Sequence, residues 1–112
     1  MSFVCTAWNN GKHHASGAGY GLKVPIAYRD KYFRKEWKSV TLELPANNGT
    51  TKANLNTDKS SFWNSSCHEL INQEIGRWLR RTGLAPWPSG QPPKIAIEAV
   101  GERHFKVVGA DG

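Results

Sequence analysis

The sequence predicts an α+β domain: a small, mostly antiparallel β-barrel or strongly curved sheet of about six strands, with one long helix over about 67–82 and one short helix over about 26–34. Three observations predict it. Short β-prone apolar runs recur between Gly, Pro and Asn turn signals. A helical stripe of buried character is clearest over Ile71, Ile75, Trp78 and Leu79. The chain has 112 residues, enough for one domain with one core and no disulfide or metal staple.

Phe3 to Trp8 is apolar and β-prone and reads as the first strand. Residues 9–19 are small and polar and read as a flexible loop. Tyr20 to Val24 is a second strand, closed by Pro25. In the short helix, Tyr28, Tyr32 and Phe33 fall on one side and the charges on the other. Trp37 to Leu44 alternates, with Val40, Leu42 and Leu44 facing one way, as a half-buried strand does. Asn47-Asn48-Gly49 makes a hairpin turn, because Asn and Gly tolerate positive φ, and Thr50 to Asn56 returns as the partner strand.

Residues 57–66 are polar around Phe62-Trp63. Ser66-Cys67-His68-Glu69 fits a capping box that would start the long helix. Gly83 supplies its left-handed stop, with Leu84 folding back on the last turn. Ala85 to Pro93 is a stiff, turn-rich loop. Lys94–Ala99 and Arg103–Val108 form a closing hairpin, and 109–112 is expected to be a loose tail of this single domain, 1–112.

Fifteen Lys and Arg stand against nine Asp and Glu, a formal charge of +6, which draws polyanions. The charge is clustered. Residues 29–38 hold five cations and two anions, Arg77, Arg80 and Arg81 share one helix end, and Arg103, His104 and Lys106 share one hairpin. No apolar run approaches the length of a membrane span, so no membrane partner is expected. Met1-Ser2-Phe3-Val4-Cys5 lacks the build of a signal peptide and two Cys make no disulfide framework, so a cytoplasmic protein is expected.

Leu22-Lys23-Val24-Pro25-Ile26-Ala27-Tyr28-Arg29-Asp30-Lys31-Tyr32-Phe33 resembles the opening of B3-like DNA-binding pseudobarrels, a superfamily that includes plant B3 transcription-factor domains and effector domains of some bacterial restriction enzymes. The following hairpin, the segment Ser60 to Ser66 and the helix around Ile75-Gly76-Arg77-Trp78-Leu79-Arg80-Arg81 resemble it in order and spacing over about residues 20–108. Pro88-Ser89-Gly90-Gln91 stands where that family usually has Gly-Asp. The resemblance implies duplex DNA binding by two arms. Lys12, His13 and His14, with Lys23 at the base, would form the first, and Lys59 to Ser66, with Asn64, the second. Lys brings phosphate attraction, and Asn and Ser can bond base edges or phosphates. Arg77, Arg80 and Arg81 would add phosphate contacts, or serve the helix dipole.

Two other readings stand beside this one. Trp8, Trp37, Trp63 and Trp87 either fill the core or line a pocket or stacking face for a small molecule, a base or a sugar. An exposed aromatic patch would instead serve a protein partner or a homodimer. Glu36-Trp37-Lys38 has the Glu-x-Lys spacing of many metal-dependent nucleases, with Asp30 as the nearest second acid. Cys5, Cys67 and the four His show no metal-ligand spacing, and Cys67-His68 is too close in sequence for the His to serve the thiol, so no cofactor and no catalytic residue is expected.

Overall fold

The structure is a computed structural model and describes residues 1–111. The chain forms β1 (Ser2–Asn9), β2 (Tyr20–Lys23), α1 (Ile26–Tyr32), β3 (Ser39–Ala46), β4 (Gly49–Asn56), α2 (Ser60–Trp63), β5 (Glu69–Ile71), α3 (Gln73–Arg81), β6 (Lys94–Gly101) and β7 (His104–Asp111). All seven strands share one sheet in the order β4-β3-β7-β6-β1-β2-β5. Neighbours run antiparallel except β3 and β7, which pair in parallel over Thr41–Glu43 and His104–Lys106. The sheet is curled into a half-barrel, and its two edges approach where Asn72 Nδ2 donates to Asn54 O at 3.1 Å.

Alternation builds the core. Phe3, Cys5 and Ala7 of β1, Val40, Leu42 and Leu44 of β3, and Ile95 and Ile97 of β6 all point into the concave side and are buried. Helices close its ends. From α1, Tyr32 stacks on Phe3 with ring centroids 4.9 Å apart, and the adjacent Phe33 stacks on Phe105 at 4.6 Å. From α3, Ile75, Trp78 and Leu79 are buried. The α+β class predicted from sequence therefore holds, while its details differ.

There are seven strands among the described residues, not about six, and the long helix is shorter than 67–82. His68 takes a positive φ of 46°, and Glu69–Ile71 pair with β2 instead of starting the helix. The helix begins only at Gln73. Asn72 is its N-cap, and its side chain accepts from Glu74 N at 2.7 Å. Glu69 thus does not close a capping box with Ser66, and Ile71 is an exposed strand residue. The short helix stops at Tyr32, not at 34, because Phe33 turns into extended backbone to stack on Phe105. Residues 57–66 contain the extra turn α2, held by buried Phe62. Gly109–Asp111 is not a loose tail but the end of β7, where Lys94 faces Asp111 and Ala96 faces Gly109. Gly112 lies outside the described residues.

Candidate nucleic-acid interface

The two proposed arms leave the half-barrel at opposite ends. Residues 10–19 connect the upward β1 to the downward β2, on the side of α3; residues 57–68 connect β4 to β5, on the side of α1. Eight-residue strands rise about 3.3 Å per residue, so the ends are separated by roughly 25 Å along a strand.

The first loop is shaped by its asparagines. Gly11 N donates to Asn9 Oδ1 at 2.9 Å and Lys12 N to Asn10 Oδ1 at 3.0 Å, while Asn9 Nδ2 donates to Lys12 O and Gly19 O. The loop is then tied to α3. Gln73 Nε2 donates to Ser16 O at 3.0 Å, Arg80 Nη1 donates to His13 O at 3.2 Å and to Tyr20 Oη at 3.3 Å, and His13 Nδ1 lies 2.7 Å from Tyr20 Oη. Gly17 is buried against Gly76 of α3 with no space for a side chain on either residue. The polar loop expected to be flexible is therefore bonded along much of its length.

This arrangement divides the predicted residues. Lys12 and His14 stay exposed. His13 and Arg80 are half-buried and hold each other and Tyr20, which is fully buried. Arg77 is exposed and paired with Glu74. Arg81 is exposed at the end of α3, where the unpaired carbonyls of the helix favour a cation.

The second loop is anchored by an arginine that sequence reasoning passed over as one of a surface cluster. Arg29 is 6% exposed, and its Nη1 donates to Phe62 O at 3.0 Å and Asn64 O at 2.7 Å while Nε bonds Asp30. Asn64 Oδ1 accepts from Ser66 N and Cys67 N, turning the chain toward β5. Trp63 Nε1 donates to Thr57 O at 2.9 Å, and its ring packs against the core beneath the Arg29 guanidinium at 5.4 Å and the Lys35 ammonium at 6.0 Å. Lys35, Asp58, Lys59, Ser60, Trp63 and Asn64 line one groove. Sequence had kept Lys59 and Asn64 apart from the 29–38 cluster; the fold joins them.

Other predicted residues lie elsewhere. Lys23 is on the convex face of β2 opposite Glu69, at the end of β2 far from the first loop and next to the end of the second, where Val24 N donates to His68 O at 3.1 Å. Trp37 packs against the core and its carbonyl accepts from Thr57 Oγ1. Trp8 and Trp87 are half-buried at the first loop and share a groove with His13. In the third basic cluster, His104 Nε2 contacts Glu43 Oε2 and Arg103 Nε donates to Ser39 O. Glu36 and Lys38 are exposed in the turn before β3, not aligned on a strand. Among the described residues no three His, Cys, Asp or Glu side chains converge as metal ligands do. Cys67 is half-buried in a turn, not at a helix N-terminus, and Cys5 is buried, which pushes its thiol from 9.0 up to about 12. Among the described residues no helix is long and apolar enough to cross a membrane.

No family model, curated protein or solved structure matches this chain.

Proposed function

We propose that this domain is a B3-like pseudobarrel that binds duplex DNA through the exposed cations of its two end loops and of the segments beside them, without catalysis of its own. The observation that carries the reading is the pairing state of those cations. Lys12 and Arg81 at one end, and Lys35, Lys38 and Lys59 at the other, form no ion pair among the described residues. Cations left unpaired need break no ion pair to reach phosphate, and each one that reaches a phosphate releases counterions.

The element order also supports it. A strand and short helix over 20–32, a hairpin over 39–56, a loop over 57–68, a helix over 73–81 and a closing hairpin over 94–111 follow one another in the order that suggested the resemblance. The spacing of the loops favours two backbone contacts on one duplex over two fingers in one groove, since the major groove is only about 12 Å wide. Asn64 keeps its Nδ2 free of partners among the described residues while its Oδ1 holds the turn. His13 and Arg80 set the shape of the first loop, and Arg77 reaches DNA by exchanging Glu74 for phosphate.

The test is neutralisation end by end. Lys12→Gln with Arg81→Gln, and separately Lys35→Gln with Lys59→Gln, should each weaken a labelled duplex roughly ten-fold or more at low salt. Full affinity in both double variants would sink the proposal.

A further inference from the structure

The groove beside the first loop is built differently from the basic surfaces around it. It is lined by Ala7, Trp8 and Asn9 of β1, by Gly11 and His13 of the loop, and by Trp87 with its neighbours from the proline-rich segment. Two indole rings therefore border one depression. His13 stands edge-on to Trp87 at 4.7 Å, and Tyr20 stands edge-on to Trp87 at 5.7 Å, which fixes that ring.

The hydrogen bonds also fix the imidazole. Arg80 Nη1 can only donate to Tyr20 Oη, so His13 Nδ1, 2.7 Å away, is the one acceptor within this cluster for the proton of the buried Tyr20 hydroxyl. That leaves Nδ1 as acceptor and puts the His13 ring proton on Nε2, the one nitrogen not engaged in the cluster. The groove thus offers flat aromatic surface and one ring N–H, and it has the exposed cation Lys12 and the exposed His14 on the same loop. Aromatic surface suits the face of any base, the N–H suits a base acceptor, and the cation suits the phosphate next to it.

We propose that this groove takes one unpaired nucleobase of a single-stranded nucleotide, held against both Trp8 and Trp87 with His13 Nε2 donating to its edge. This deepens the nucleic-acid reading above and rests on it for the flanking phosphate contacts. A base inside a duplex is stacked on both faces and cannot enter, so the preferred target carries a single-stranded end or a bulge beside duplex.

Three probes separate the two readings: a short blunt duplex, the same duplex with a single-stranded adenine overhang, and an adenine oligonucleotide alone, each followed by anisotropy and by tryptophan fluorescence. The overhang should tighten binding roughly 5- to 30-fold, the range expected for one base–aromatic stack, and the single strand should quench tryptophan emission. Trp8→Leu, on the convex face of β1, and Trp87→Leu should each reduce that gain and leave blunt-duplex affinity as it was. Because Trp87 packs on the core, circular dichroism must show that its variant is folded; Trp8→Leu decides the matter if it is not. Equal affinity for blunt and overhanging duplex, no quench by the single strand, or a gain that survives Trp8→Leu and Trp87→Leu in folded proteins overturns the groove. Quenching by the single strand without blunt-duplex affinity supports the groove and refutes the duplex reading instead.

Discussion

Gly76 sits in the middle of α3, where Ala is ordinarily the better residue by about 1 kcal/mol. The structure predicts that Gly76→Ala is destabilising. An added Cβ would fall 2.7 Å from both the Cα and the carbonyl carbon of Gly17, and closer still to its oxygen. Ordinary carbon–carbon contact is about 3.5–4.0 Å, so the overlap is close to 1 Å. It is with backbone, which cannot rotate away as a side chain can. Gly17 itself has φ +88° and is closely packed on Gln73 O and Arg77 N, so the loop has little room to retreat.

Overpacking of this kind costs about 1–3 kcal/mol, and the rigid partner argues for the upper end. After the helix-propensity gain, the net loss is about 2 kcal/mol. A domain of this size loses roughly 4 °C of Tm per kcal/mol, so Tm should fall by about 8 °C. Urea denaturation followed by far-UV circular dichroism gives the equilibrium value, with m unchanged if the denatured state is unaffected. Gly83→Ala is the comparison. It carries φ +80° but nothing lies within 4 Å of its added Cβ, so it suffers only the left-handed backbone cost of about 1–2 kcal/mol. A Gly76→Ala variant as stable as the parent, or more stable, would refute the close docking of the 10–19 loop on α3.

Other expectations follow from the same contacts. Asn72→Ala should cost about 1 kcal/mol in urea denaturation by removing the N-cap of α3, whereas Ser66→Ala should change stability by under about 0.5 kcal/mol, the reverse of what a capping box at Ser66 requires. Arg29→Met keeps much of the aliphatic bulk but leaves the Phe62 carbonyl unpaired, and should lower stability by about 2–3 kcal/mol and raise proteolysis within 57–66. Cys67 should react with a thiol reagent in the native state while Cys5 reacts only on unfolding. Burial holds the proton on Cys5 up to about 12, while the unfolded thiol releases it from 9.0, so this group's stabilisation is complete below 9.0 and is lost as pH rises toward 12. Cys5→Ala should flatten that alkaline limb relative to the parent.

Much of the fold can be read locally. The alternation of Val40, Leu42 and Leu44 and the Asn-Asn-Gly turn determine the β3–β4 hairpin, and the aromatic spacing from Tyr28 to Phe33 marks α1. The errors arise where tertiary pairing outweighs local preference. Ile71 lies at helical spacing to Ile75, yet β2 offers Glu69–Ile71 a ladder and a positive φ at His68 interrupts any helix across it. Gly109–Asp111 has little strand propensity but continues along the full length of β6. The site is less legible because its residues come from distant segments. Arg29 looks like any other member of a basic cluster until the chain returns at Phe62 and Asn64. His13 looks like a free polar loop residue until Tyr20, Arg80 and Trp87 enclose it. The contacts of Gly17 and Gly76 leave no trace in composition at all.

The central claim is that unpaired cations at the two ends act together on phosphate. It is tested most directly by the affinity of the unmodified protein for a labelled blunt duplex across a salt series. If about five phosphates are engaged, log K should fall linearly with log salt at a slope of about −4 to −5, near −0.9 per phosphate. Each charge-neutralised end should make that slope shallower by about two units. No measurable binding at low salt, or an affinity that does not change with salt, would contradict the account.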